Sequence, residues 1–143
     1  MKIIFLDVDG VLNSVQDGYS IRLRTDSHLK LLQHIVKETG AKIVLSSSWR
    51  IGFTPASKNL LARFKEYGLE LFDCTPELSG TCRGDEIRKW LSDTEYDVER
   101  FAILDDEANM GEFTEMNLVQ TDTNVGLQIT DAVRCIKMLN SGV

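Results

Sequence analysis

The strongest constraint in this chain is a repeated pattern, a short run that is apolar at every position and ends in acidic or hydroxyl residues. Ile3-Ile4-Phe5-Leu6 is followed by Asp7, Asp9 and Gly10. Ile43-Val44-Leu45 is followed by Ser46, Ser47, Ser48, Trp49 and Arg50, and Phe101-Ala102-Ile103-Leu104 by Asp105, Asp106 and Glu107. A strand apolar at successive positions must be covered on both faces. That is the condition of a central strand in a parallel sheet rather than of an antiparallel sheet with one wet face. Leu118-Val119-Gln120 is a shorter run of the same kind, and Leu69-Glu70-Leu71-Phe72 a weaker one.

Parallel strands need crossovers, and helical patterns fill the gaps. Asp26 or Ser27 can cap a helix carrying Leu29, Leu32, Ile35 and Val36, with Gly40 as its stop. Thr54-Pro55 reads as a cap and a first-turn proline for a helix through Leu60, Leu61, Phe64 and Tyr67, ended by Gly68. A third helix is expected to open at Asp85 and run through Ile87, Trp90 and Leu91, and a fourth, with Thr130 as its cap, to run through Val133, Ile136 and Leu139/Met138. The expected fold is α/β, a three-layer sandwich around a central, mostly parallel, Rossmann-like sheet. Residues 13–25 fit neither pattern, and the alternation Tyr19-Ser20-Ile21-Arg22-Leu23-Arg24 predicts a short hairpin or flap there.

At 143 residues the expectation is a single domain over 1–143, large enough to fold without a disulfide or a structural metal. The three cysteines are odd in number and form no C-x-x-C, and His28 and His34 share no helix face, so neither a disulfide framework nor a zinc site is indicated. Against 16 Lys+Arg stand 22 Asp+Glu, a net charge of −6, which opposes nucleic acid and anionic membrane unless a local patch or a bound cation reverses the field. The apolar run Ile3–Leu6 is too short for a signal peptide or a membrane span. The expectation is a cytoplasmic protein with no membrane association and no obligate protein partner.

In open α/β sheets, ligands bind beyond the carboxyl ends of the strands, where this chain concentrates its polar groups. Asp7 and Asp9, two apart, point to one side if the chain stays extended, and Asp105-Asp106 arrives from a separate strand. Carboxylates so crowded need a counter-charge, and a hard divalent cation with oxygen ligands, Mg²⁺ where a phosphate completes the shell, fits best. The other groups suit that phosphate. Ser46 offers a hydroxyl, Arg83 or Lys89 a positive charge, and Gly10 a backbone that an oxyanion can approach. An aspartate nucleophile would form an acyl-phosphate, and a second acid two residues on could protonate the leaving alkoxide and then activate water.

Asp7-Val8-Asp9-Gly10-Val11 after an apolar strand resembles motif I of the haloacid dehalogenase (HAD) superfamily, Ile43-Val44-Leu45-Ser46 its motif II, and Ile103-Leu104-Asp105-Asp106 its acidic motif IV. The resemblance spans about residues 2 to 121. It implies Asp7 as nucleophile and metal ligand, and Asp9 as general acid/base that also binds Mg²⁺ through its main-chain carbonyl. Ser46 would be the holder of a phosphoryl oxygen, and Asp106 a further metal ligand with Asp105 in support. Aspartate at position 9 is similar to the phosphatase branch. Arg83 is the motif III choice and Lys89 the fallback. The gaps between Gly10 and Ser46 and between Arg50 and Arg83 leave no room for an inserted cap domain, so the chain resembles capless members, whose open sites go with bulky or polymeric phosphorylated substrates. More narrowly, Asp7 to Asn13, Ser47-Ser48-Trp49-Arg50, Leu104 to Glu107 and Gly126-Leu127 resemble the small HAD domains of Swiss Army knife RNA repair proteins, which implies a phosphatase on nucleic-acid ends.

Plainer readings stand beside these. Ser47 and Arg50 are further phosphate-contact candidates, yet a polar loop and a surface ion pair would account for them. Trp49 can be a packing residue or a substrate platform, and Arg22 and Arg24 a solvated face or an anion contact. Two non-phosphatase alternatives are a receiver-like phospho-accepting module and a non-catalytic HAD-like phosphate-binding protein.

Overall fold

The computed structural model describes residues 1–47, 49 and 55–141, apart from the side chain of Ala56. Five strands form one all-parallel sheet: β1 (Lys2–Leu6), β2 (Lys42–Leu45), β3 (Leu71–Cys74), β4 (Arg100–Asp105) and β5 (Leu118–Gln120). Among the described residues three helices join the first four strands, α1 (Asp26–Thr39), α2 (Pro55–Glu66) and α3 (Arg83–Asp93), and α4 (Ile129–Asn140) follows β5. The strand order β3-β2-β1-β4-β5 places the topological switch beside β1, with successive strands laid to one side first and then to the other. A receiver-like module would carry the other common doubly wound order, in which the first strand lies next to the edge.

The continuous apolar runs are explained by two cores, one on each face. Ile4, Leu6, Ile43, Leu45, Ala102, Leu104 and Val119 point to the side covered by α1, α2 and α4, meeting Leu29, Leu32, Ile35, Leu60, Phe64, Cys135 and Leu139. The alternate residues Ile3, Phe5, Val44, Ile103 and Leu118 face α3 and its neighbours, packing on Ile87, Trp90 and Met110. Phe5 stands edge-on to both Trp90 and Phe101. The result is the expected three-layer α/β sandwich. Among the described residues no further domain is inserted between the strands, and no helix is long and apolar enough to cross a membrane.

Local expectations hold with shifts. Gly40 ends α1 in the left-handed conformation, φ 70°, as a C-cap glycine should. Thr54, the expected cap of α2, lies outside the described residues. The helix expected from Asp85 starts two residues earlier, at Arg83, because Asp85 is not the cap: its carboxylate reaches back to the Cys82 amide at 3.3 Å. Helix α4 opens in the same way, with Asp131 accepting from the Gln128 amide at 2.9 Å, not with Thr130 as cap.

The segment 13–25 forms no hairpin. It is a chain of turns, with Tyr19 and Leu23 in the left-handed region at φ 48° and 49°. The alternation misleads because Leu23 is buried by itself as a plug while its neighbours Arg22 and Arg24 are exposed. A polar knot replaces strand pairing. Asp17 accepts hydrogen bonds from Ser14 Oγ (2.7 Å) and Thr25 Oγ1 (2.6 Å), and buried His28 bridges it (2.7 Å) to the Leu127 carbonyl (3.0 Å). Desolvation alone would raise Asp17, but these hydrogen bonds outweigh it and hold the carboxyl below the usual carboxylate range. His28 is therefore a buried structural residue of α1.

Candidate active site

Register brings the three polar strand ends side by side. Leu6 pairs with Leu45 on one flank and Leu104 on the other, so the next residues, Asp7, Ser46 and Asp105, form a row across β2, β1 and β4. Backbone bonds carry the row one step past the strands, from Ser46 N to Leu6 O (2.7 Å) and from Asp7 N to Leu104 O (3.0 Å).

Asp7, Asp105 and Asp106 each offer a carboxylate oxygen, all within 4.8 Å of one another. Asp7 and Asp105 are buried, and Asp106 is half-buried. Burial raises the pKa of Asp7, and the charge of Asp105 raises it further, against the pull of Arg83. Burial raises Asp105 likewise. The cluster is thus short of positive charge, and its all-oxygen donor set is the kind a hard divalent cation takes. Asp106 is held from outside by Thr123, whose hydroxyl donates to it at 2.8 Å.

Arg83 is the cation the structure supplies. As the first residue of α3 it reaches Asp105 at 2.7 Å and Asp7 at 3.0 Å. Lys89, the fallback for motif III, is not brought to the site. It lies on the exposed side of α3 and pairs with Asp93 at 3.1 Å, one helical turn on.

Asp9 stands apart from the three-carboxylate cluster. Its two oxygens accept from Asn13 Nδ2 and Trp49 Nε1, each at 3.1 Å. Trp49 is 8% exposed and packs in the core, as the packing reading has it, so it is no open platform, and its indole N–H has a second task. It aims an acid, and the sequence carries no signal for that contact beyond an indole near a strand end.

Gly10 is required, though not as an open oxyanion contact. Its amide is spent on the Asn13 carbonyl, and the amides of Val11, Leu12 and Asn13 all bond the Val8 carbonyl. The glycine matters because its φ is 88° and because a Cβ there would lie 2.2 Å from Asp106 Oδ2. The loop after β1 and the acid after β4 touch at this point.

Ser46 is 1% exposed, and its Oγ is a buried side-chain polar atom with no hydrogen-bond partner among the described residues. Such an atom is unusual in a folded protein and calls for an explanation. Ser47, also buried, is different, since its Oγ accepts from the Trp49 amide at 3.2 Å. Arg50 lies outside the described residues.

A doubly wound parallel sheet with aspartates at the ends of β1 and β4, a hydroxyl after β2 and a basic residue opening α3, the helix before β4, defines a HAD-type α/β domain. Over residues 3–132 the sequence matches the family described as the HAD domain in Swiss Army Knife RNA repair proteins, and the chain belongs to that family. Comparison with curated proteins and with solved structures found no match.

Proposed function

We propose that this protein is a Mg²⁺-dependent phosphomonoester hydrolase working through an aspartyl-phosphate on Asp7. The observation that carries the reading is the unpartnered Ser46 hydroxyl, buried one strand away from Asp7. A phosphoryl oxygen lying over Asp7 would supply the acceptor that Ser46 lacks.

An Asp7 carboxylate oxygen attacks phosphorus as the bond to the leaving oxygen breaks. Asp9, oriented by Asn13 and Trp49, gives its proton to that oxygen. In the second step Asp9 takes a proton from water, the water oxygen attacks the phosphorus, and the bond to Asp7 breaks to release inorganic phosphate. Ser46 and Arg83 hold the phosphoryl oxygens, Arg83 turning from the carboxylates it meets in the free protein. Asp7, Asp105 and Asp106, with the Asp9 carbonyl, are the groups that would hold Mg²⁺, which when bound neutralises the carboxylates and stabilises charge on the transferring group. The small flap leaves the site open, and the family's occurrence in RNA repair proteins favours nucleic-acid ends as substrate.

The test is hydrolysis of p-nitrophenyl phosphate and of terminally phosphorylated oligonucleotides with Mg²⁺. Asp7→Asn should lose nearly all turnover while keeping its circular dichroism spectrum. Undiminished turnover in that variant would discard the mechanism.

A further inference from the structure

Tyr19 is an aromatic residue held in the left-handed backbone region, φ 48°, where an L side chain costs about 1–2 kcal/mol. It spends that strain without being buried, for its side chain is 44% exposed. Strain at an exposed aromatic points to a task outside the fold.

The flap's bonds place this residue at the rim of the site. Asn13 holds Asp9, and Ser14, the next residue, accepts the Tyr19 amide at 3.1 Å. On the other side, the Val15 amide bonds the carbonyl of Thr123 (3.1 Å), the residue whose hydroxyl holds Asp106. These bonds tie the turn that carries Tyr19 to both the acid/base and the metal cluster. Its phenol feels both, its pKa raised by desolvation and then by the charges of Asp106 and Asp9. Val15 and Ile21, on the same run of turns, are 52% and 50% exposed. Farther along the same turns Arg22 and Arg24 are exposed, and among the described residues no carboxylate pairs with either guanidinium. In a chain with six more acids than bases, unpaired arginines suit a polyanion.

We propose that Tyr19 is a specificity residue, the platform on which the base of the phosphorylated terminal nucleotide stacks, with Arg22 and Arg24 receiving the strand beyond it. This rests on the phosphatase reading and deepens it. An aromatic face takes any base, so the platform recognises a nucleotide end with little regard to sequence.

The experiment compares kcat/KM for AMP with that for ribose 5-phosphate, which has the same phosphoester and no base. The wild type should favour AMP, Tyr19→Ala should cut the ratio by about 5- to 100-fold, and Tyr19→Phe should keep it within about twofold. Both substrates are read on one preparation, so partial unfolding cancels. A ratio unchanged in Tyr19→Ala, a loss equally large in Tyr19→Phe, or a wild-type preference for a phosphotyrosyl peptide would each overturn the proposal. Calorimetric titration of the two ligands with Mg²⁺ into Asp7→Asn, with and without Tyr19→Ala, gives the same ratio for binding. Absence of all turnover would count against the hydrolase reading, while the binding ratio would still decide the platform.

Discussion

Replacing Ser46 by alanine should move stability and activity in opposite directions. The hydroxyl is 1% exposed and unpartnered, while the main chain at Ser46 is held independently through its amide. Leaving a buried polar group unsatisfied costs about 1–3 kcal/mol. Deleting it recovers most of that, less about 0.3 kcal/mol for the small void at roughly 24 cal/mol per Å³. At about 3–5 °C per kcal/mol for a chain of this size, Ser46→Ala should melt roughly 3 °C or more above the wild type. A hydrogen bond to a charged phosphoryl oxygen is worth about 1.5–3 kcal/mol, so kcat/KM should fall about 10- to 150-fold. Calorimetric melting and p-nitrophenyl phosphate kinetics read the two effects on one sample. Ser47→Ala is the control: it removes the acceptor of the Trp49 amide and should lower the melting temperature. A Ser46→Ala protein that melts lower than the wild type, or one with kcat/KM within twofold of it, would refute the assignment of this hydroxyl to substrate.

Gly84→Ala should be damaging in a way its place on a helix does not suggest. Its Cβ would meet the Met110 carbonyl oxygen at 2.6 Å, a backbone contact that cannot rotate away. The first turn of α3, with Arg83, would be pushed off the acids at a cost of about 1–3 kcal/mol; an unchanged melt and unchanged kinetics would refute this. Trp49→Phe keeps the ring and removes the donor to Asp9, so kcat should fall about fivefold, the worth of one hydrogen bond, and an unaltered kcat would remove Trp49 from the site. In chelator, stability should fall as pH rises above the ordinary aspartate value of 3.8. Asp7 and Asp105 have raised folded pKa values, so the folded state holds protons that the unfolded state has lost. Mg²⁺ held as proposed would bind the deprotonated cluster, so its stabilisation should grow with pH, reaching about 2.7 kcal/mol at a hundredfold excess over Kd. A melting temperature flat from pH 5 to 8 in chelator, with no response to Mg²⁺, would contradict the cluster's electrostatics.

The local sequence determined the layers and the polar edge. Runs apolar at every position can only be covered on two faces, and such strands joined by amphipathic helices make a parallel sheet. The residues just past those runs then fall on one edge, which is why Asp7, Ser46 and Asp105 could be picked out without coordinates. Contacts between edge residues are another matter, because they depend on register and on where each helix begins. Opening α3 at Arg83 rather than Asp85 is what sets that guanidinium over the acids and leaves Lys89 in solvent with Asp93. Gly10 looked like an amide donor from its neighbours, and only the arrival of Asp106 from β4 shows that the site needs its missing Cβ. The flap's alternation was overridden by a knot that Asp17 shares with His28, eleven residues on, and with the Leu127 carbonyl from the far end of the chain. Periodicity reports which side of its own element a residue faces, and only the folded chain decides what waits there.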